Sequence, residues 1–166
     1  MNQKKTTRFV TRAGVIAALY FVLTLISSLV GLSSGVIQCR LSEALSVLAA
    51  FLPEAIPGLF IGCIIANIFA LGAIWDIIFG SIATLIGAIG AYYIGRLGHK
   101  FRFLVPLPTV LANTLIVPFI LIYAYGATEA YPFLLFTVGI GEVISAWVLG
   151  LLLYTAILPY ADKLRL

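Results

Sequence analysis

The sequence predicts an all-α integral membrane protein, a six-helix bundle with both termini in the cytoplasm. The first observation is composition: 63% of the 166 residues are hydrophobic and 10% are charged, and the mean hydropathy is +1.17. A water-soluble domain keeps roughly a quarter of its residues charged, so a soluble fold is excluded. A helical span takes about 20 apolar residues, which leaves room for six or seven spans and no separate soluble catalytic domain.

The second observation is the succession of apolar segments, which we interpret as one transmembrane domain over residues 1–166. The first segment follows a basic start that lacks a signal-peptide cleavage site, so we expect it to be a retained span. The second is short, and it must tilt, lie against a re-entrant loop or borrow residues 36–40. Pro53 and Pro57 predict a tight turn before the third, because proline interrupts a helix interior. The predicted spans are 9–32, 41–52, 54–72, 74–95, 104–124 and 132–158.

The third observation is the distribution of positive charge, which predicts the orientation. Nine of the ten lysines and arginines form three clusters, separated by four spans and then by two, so all three lie on one side of the membrane. The positive-inside rule makes that side cytoplasmic and explains the net charge of +4 without a nucleic-acid partner. Arg40 alone lies outside them. The clusters are Lys4, Lys5, Arg8 and Arg12; Arg96, Lys100 and Arg102; and Lys163 and Arg165.

Polar residues in the predicted outer half of the bundle are the candidates for binding a ligand. Ionisable groups within a membrane cost several kcal/mol unless they are paired or hydrated, so they usually face an interior site. No basic residue neighbours Glu142 in the sequence, which makes it the most informative of them. The candidate substrate-binding residues are Arg40, Glu43, Asn67, Trp75, Asp76, Asn113, Glu142 and Trp147.

Five of the other candidates have a plainer alternative. Glu43 can pair with Arg40 one helical turn earlier, and Asp76 can cap a helix N-terminus. Asn113 can serve as a hydrogen-bonding contact between helices. Of the two tryptophans, Trp75 fits an interfacial anchor, and Trp147 fits packing between helices.

The charges of the outer half do not balance. Glu43, Asp76 and Glu142 contribute three negative charges, and Arg40 offsets one of them. A buried excess of about two negative charges requires a protonated carboxyl, entry of water, or a ligand that brings positive charge and hydrogen-bond donors. The last possibility argues against phosphorylated or polyanionic substrates.

Small residues recur at a spacing that lets helices approach closely. Gly58 with Gly62, and Ala146 with Gly150, fit packing within the molecule. The stripe in the first span is instead expected to be a surface for another protein. It consists of Ala13, Gly14, Ala17 and Ala18.

Motifs for chemistry are missing from the sequence. It contains no P-loop, HExxH or GxSxG motif, and its single histidine argues against histidine catalysis and metal binding. We therefore expect no catalytic site, metal or cofactor. The remaining classes are a transporter or its binding subunit, a membrane-embedded enzyme, and a structural membrane protein.

Five motifs are spread along the chain: QCRLSEAL at 38–45, PGLFIGC at 57–63, WDIIFGS at 75–81, PTVLAN at 108–113 and GIGE at 139–142. Together they resemble the QueT family of substrate-binding S components of energy-coupling factor (ECF) transporters. The similarity extends from Thr11 to Gly150. It implies a six-helix protein of a prokaryotic plasma membrane that captures a micronutrient from outside.

The resemblance also implies partners and a substrate. It implies a transmembrane coupling subunit and two cytoplasmic ATPase subunits, with Ala13 and Ala17 matching the family's AxxxA docking motif. The segment 31–37 corresponds to the loop that covers the substrate. The substrate class is a queuosine precursor, a 7-deazaguanine or queuine-like base, some of which carry a cationic aminomethyl group.

Glu43 and Glu142 are expected to divide the ligand between them. One carboxylate would accept hydrogen bonds from the donor edge of the base, and the other would meet its substituent. The charge pattern also suits thiamine, so an S component for another vitamin stays open. A stand-alone transporter with Glu142 as proton carrier is the alternative from a different class.

Overall fold

The fold was obtained as a computed structural model, and it describes residues 3–32, 38–70 and 72–161. Within these residues the protein is all helical and forms six helices, which confirms the predicted fold class. They are α1 (Gln3–Leu29), α2 (Leu41–Ala50), α3 (Ala55–Phe69), α4 (Asp76–Arg96), α5 (Leu107–Tyr125) and α6 (Tyr131–Tyr160). Most of the predicted substrate-covering loop, and the basic cluster at Lys163 and Arg165, lie outside the described residues.

Four of the helices are long and apolar enough to cross a membrane: α1, α4, α6, and α5 together with the short 3-10 turn at its start. The other two are shorter. Helix α3 has 15 residues. At a rise of roughly 1.5 Å per residue it is about 22 Å long, which is less than the roughly 30 Å of the hydrocarbon core. The cytoplasmic placement of both termini and the six-span topology stay predictions.

Helix α2 is the centre of the bundle. Its residues from Ser42 to Ala50 are all buried, because alanine and serine alternate with larger apolar residues and allow neighbours to approach on every side. The whole helix is wound as a 3-10 helix. Such a helix rises about 2.0 Å per residue, so α2 extends about 20 Å, compared with about 15 Å for the same residues in an α-helix. This extension partly offsets the shortness that the sequence indicated.

The small residues of α1 pack against the GxxxG pair of α3. A Cβ atom added at Gly58 would lie 2.7 Å from the backbone oxygen of Ala13, and one at Gly62 would lie 2.8 Å from that of Ala17. Only glycine permits such an approach of two helix backbones. Ala17 is buried in this contact.

This contact divides the predicted docking stripe between two faces of α1, and docking of another protein on it stays a prediction. Ala17 packs within the molecule and Ala13 is half-buried, whereas Gly14 and Ala18 are exposed on the adjacent face of α1. A Cβ added at Gly14 would meet nothing within 4 Å. The predicted spacing for close packing is correct, and the structure identifies α3 as the neighbour.

Two of the spans contain stretches of π-helix. Helix α4 begins with one at Asp76–Gly80, and α6 contains another at Val143–Leu149, directly after Glu142. A π-helical turn contains an extra residue and shifts the side chains that follow to a different face. In this way Asp76 and Glu142 both adjoin an interruption of regular helix geometry.

Candidate functional site

Two buried carboxylates share one amide nitrogen near the middle of the bundle. Asn113 of α5 donates hydrogen bonds from Nδ2 to Glu43 Oε2 and to Glu142 Oε2, each over 3.2 Å. Glu43 is 2% exposed and Glu142 is 5% exposed. Because a single NH₂ group contacts both carboxylates, they face the same point in space.

Hydroxyl groups support Glu43 from the side of α1. The phenol of Tyr20 donates a hydrogen bond to Glu43 Oε1. One turn later along α1, Thr24 donates to the hydroxyl of Ser42 over 2.8 Å. These bonds attach the start of α2 to α1 and fix the position from which Glu43 projects.

The segment that precedes α2 is attached to α6. A Cβ atom added at Gly141 would collide with the backbone oxygen of Gln38, so glycine is required there. The thiol of Cys39 lies 3.8 Å from the backbone oxygen of Gly141. Since Glu142 is the next residue, this contact positions the two glutamates relative to each other.

A second polar cluster surrounds Asp76 at the start of α4. Its Oδ2 lies 3.7 Å from Arg40 Nη2 and accepts a hydrogen bond from the Tyr125 hydroxyl over 2.9 Å. Asn67, at the end of α3, donates to the backbone oxygen of Asp76 over 3.1 Å. The cluster connects the ends of three helices with the segment before α2.

Arg40 remains a cation in this environment. Burial by itself disfavours the charged guanidinium, but the Asp76 carboxylate and further negative groups outweigh that cost, and the pKa of Arg40 lies above its ordinary value. Its positive charge is directed at Asp76. The two glutamates bridged by Asn113 have no comparable partner among the described residues, because the ion pairs of that part of the chain are Arg12–Glu54 and Arg40–Asp76.

Two adjoining cavities lie beside these clusters. The larger, of about 440 Å³, extends from Asp76 and Asn67 to Thr24 and Tyr125. The smaller, of about 10 Å³, lies between Glu43, Asn113 and Glu142. Both are lined by Gln38, Arg40 and Val117, so these three side chains form the partition. The larger cavity is in the range of small-molecule sites, and the smaller one is at the lower limit for a single water molecule.

Six of the eight predicted binding residues therefore line these cavities: Arg40, Glu43, Asn67, Asp76, Asn113 and Glu142. The structure does not bring the two tryptophans to them. Trp75 is 52% exposed, stacks on Phe79 with ring centroids 5.9 Å apart, and lines an apolar groove on the outer face of α4 and α5. Trp147 is half-buried and lines neither cavity.

Among the residues of the site that the sequence analysis missed, three have polar side chains that bear on the candidate carboxylates or the partition. Tyr20 contacts Glu43, Tyr125 contacts Asp76, and Gln38 belongs to the partition. Gln38 stands within the QCRLSEAL motif, and Tyr20 is one helical turn beyond the small residues Ala13 and Ala17. Tyr125 ends its helix directly before a glycine in the left-handed conformation and gives no signal of its own.

A third cavity, of about 570 Å³, lies at the opposite end of the bundle. There Arg12 of α1 lies 3.3 Å from Glu54, which precedes α3. His99 contacts the hydroxyl of Tyr154 over 3.0 Å. This end carries the basic residues that the positive-inside rule places in the cytoplasm. Glu54 is thus a buried carboxylate that pairs with a cation at the other end of the bundle from the ligand candidates.

Comparison with known proteins identifies relatives. A family model described as the QueT transporter matches residues 10–159. The chain is similar to the queuosine precursor transporter QueT of Lactococcus lactis subsp. cremoris (strain MG1363), with 41% identity over 87 residues. The matched region is 52% of this chain and 50% of that protein, so the chain spans about half the length of the curated relative it matches. No solved structure matches the chain significantly.

Proposed function

Because the chain belongs to the QueT transporter family, we propose that it is the substrate-binding subunit of an importer for a queuosine precursor. The carboxylate pair Glu43–Glu142 binds the cationic group of that ligand, a 7-deazaguanine with an aminomethyl substituent. The observation that carries the proposal is the convergence of both carboxylates on the amide nitrogen of Asn113, with the neighbouring cation Arg40 directed at Asp76.

An ammonium group suits this position for a chemical reason. It has three N–H donors and no acceptor, and two carboxylates that face one point accept from such a group. This proposal differs from the expectation from the sequence, in which each glutamate meets a different part of the ligand. In the proposal both glutamates act on the same substituent, because each lies 3.2 Å from the one amide nitrogen of Asn113 and the two carboxylates therefore converge.

The larger cavity accommodates the ring system of the ligand. Its volume of about 440 Å³ is sufficient for a substituted purine-like base, and its wall supplies Asp76, Asn67 and Tyr125. Asp76 accepts from the N–H donors of the guanine-like edge. The phenol ring of Tyr125 provides a surface for stacking, a contact of about 1–3 kcal/mol per base in other proteins.

Movement of Arg40 connects the two cavities in this proposal. Arg40 and Gln38 line both, so a ligand in the larger cavity reaches the glutamates only past their side chains. The guanidinium gives up part of its contact with Asp76 when the base takes its place. Val117 supplies the apolar part of the passage.

The subunit works within an ECF transporter in this proposal. A coupling subunit docks on α1, and two ATPase subunits supply the energy, since these 166 residues contain no P-loop motif. The docking surface is the exposed face with Gly14 and Ala18, because Ala17 is occupied by α3. The membrane is the plasma membrane of a prokaryote.

The second candidate is a stand-alone transporter that carries protons on Glu142. Among the described residues the buried carboxylate pair has no salt-bridge partner, and a carboxyl in such a position can carry a proton, which favours this candidate. Uptake of a labelled precursor in cells with and without the coupling and ATPase subunits separates the two. We expect uptake only when all subunits are present, and uptake by this chain alone would support the second candidate.

Calorimetry on the purified protein tests the ligand. The titrants are an aminomethylated 7-deazaguanine, a 7-deazaguanine with an uncharged methyl group, and thiamine. We expect both bases to bind, the charged one more tightly, and thiamine not to bind. Binding of thiamine with no binding of either base would contradict the proposed substrate class.

A further inference from the structure

The site between Glu43 and Glu142 is too small and too negative to stay as two bare carboxylates. Its volume of about 10 Å³ leaves no room for the several water molecules that would solvate two charges. Asn113 contributes one NH₂ group, which is neutral. Two carboxylates that share a site in this way favour a state with one proton between them.

The groups around the two glutamates do not neutralise the charge that the proton would neutralise. From α1 the neutral phenol of Tyr20 contacts Glu43, and Cys63 of α3 is a buried thiol nearby. In the segment before α2, burial and the neighbouring Glu142 raise the pKa of the Cys39 thiol and keep it neutral. Arg40 is the cation of the cavity wall.

Arg40 is itself shared. Its guanidinium lies 3.7 Å from the Asp76 carboxylate of α4, and its single positive charge acts on Glu43 and Glu142 as well. Helix α5, all of whose residues are described, contributes Asn113 and Val117 to the lining of the small cavity, and neither side chain is titratable. Among the described residues around the pair, Glu43, Glu142 and Asp76 contribute three negative charges and Arg40 contributes one positive charge, so the net charge is minus two before any proton is added.

We propose that the Glu43–Asn113–Glu142 cluster is a proton-binding site whose proton is exchanged for the cation of the ligand. The inference rests on the proposed function, because it requires a ligand with an ammonium group. In the exchange one carboxyl O–H bond breaks, the proton leaves to solvent, and the resulting carboxylate pairs with the ammonium. The net charge of the site is then unchanged by binding.

The exchange has a measurable consequence. If a proton leaves whenever the cation binds, affinity for the charged base rises with pH by about tenfold per unit while the free site remains protonated. The uncharged base leaves the proton in place, so its affinity stays constant over the same range. The difference between the two ligands distinguishes exchange at this site from a general effect of pH on the protein.

Calorimetry of the wild-type protein in two buffers of different ionisation enthalpy counts the released protons. We expect about one proton released with the aminomethylated base and about none with the methyl analogue. Binding of the charged base without proton release, or equal release with both, would overturn the inference. Failure of both bases to bind would instead refute the proposed function, and the proton exchange with it.

A matched pair of variants locates the proton. Glu142→Gln removes one carboxyl of the pair, and we expect release with the charged base to vanish. Glu54→Gln removes a buried carboxylate of the opposite end, and release should persist. Undiminished release in Glu142→Gln would place the proton elsewhere and contradict the inference. The wild-type comparison decides between exchange and no exchange even if a variant fails to fold.

Discussion

The backbone oxygen of Ala17 lies against Gly62, so close that a Cβ atom added to the glycine would be only 2.8 Å away. This relationship assigns the two small-residue patterns of the sequence to each other. The stripe of α1 and the GxxxG of α3 form one intramolecular contact, which leaves Gly14 and Ala18 exposed on the adjacent face of α1.

The contact between α1 and α3 predicts opposite effects of alanine at two glycines. Gly62→Ala forces the helices apart and should destabilise the protein by about 1–3 kcal/mol. Gly14→Ala adds a methyl group in open space and should stabilise α1 by up to about 1 kcal/mol. Thermal unfolding in detergent measures both. A Gly62→Ala protein as stable as the wild type would contradict the close approach.

The exposed face of α1 predicts where a partner docks. Ala18→Trp adds bulk on the outside, so the isolated subunit should fold and bind ligand normally, whereas uptake in cells should be lost. Ala17→Trp should instead fail to fold, because its neighbour is α3. Size-exclusion profiles, calorimetry and uptake assays separate these cases. Normal uptake with Ala18→Trp would exclude this face as the docking surface.

The placement of the aromatic residues predicts which of them affects ligand affinity. Tyr125→Phe removes the hydroxyl that donates to Asp76. Without this bond the Asp76 carboxylate is no longer held in place at the cavity wall. A hydrogen bond to a charged group contributes about 1.5 kcal/mol, so binding of both bases should weaken by up to about tenfold. Trp75→Ala should leave affinity unchanged, because Trp75 faces away from the cavity. A loss of affinity with Trp75→Ala and none with Tyr125→Phe, measured by calorimetry, would place Trp75 in the binding site.

The distribution of positive charge predicts the topology. In a background without Cys39 and Cys63, a cysteine at Glu129 should react with an impermeant reagent from outside intact cells, and one at His99 should not. Both positions are exposed, so accessibility within the fold does not limit the reaction. Labelling at His99 from outside would invalidate the six-span orientation.

Burial depth made much of the site predictable from sequence. Glu43, Asn113 and Glu142 are polar residues within apolar segments, and a membrane leaves such residues few places except an interior site. Hydropathy likewise sufficed to predict the all-α membrane fold, whereas the orientation predicted from the charge clusters stays a prediction. The sequence contains no information on distances between segments, so only the fold shows that both glutamates contact one amide nitrogen.

The sequence does not distinguish adjacent residues whose side chains point in different directions. Trp75 and Asp76 are neighbours in sequence and cannot both face the cavity, since successive helical residues are about 100° apart. Trp75 instead stacks on Phe79, one turn later on the outer surface. In the same way Ala17 is buried and its neighbour Ala18 is exposed, a difference that the sequence does not reveal. Interruptions such as the π-helical stretch after Glu142 shift the faces further, and composition does not reveal them.

Binding affinity is the most direct test of the proposal that Glu43 and Glu142 act jointly on the positive charge of the ligand. The measurement compares wild-type, Glu142→Gln and Glu54→Gln proteins with the aminomethylated 7-deazaguanine and its methyl analogue, by calorimetry at one pH. Loss of one partner of a buried charge pair costs about 2 kcal/mol or more, which is about 30-fold in affinity.

We therefore predict that Glu142→Gln weakens binding of the charged base by about 30-fold or more. It should change binding of the uncharged base little, and Glu54→Gln should match the wild type with both ligands. An equal loss for both bases, or wild-type affinity of Glu142→Gln for the charged base, would contradict the assignment of the carboxylate pair as the cation site.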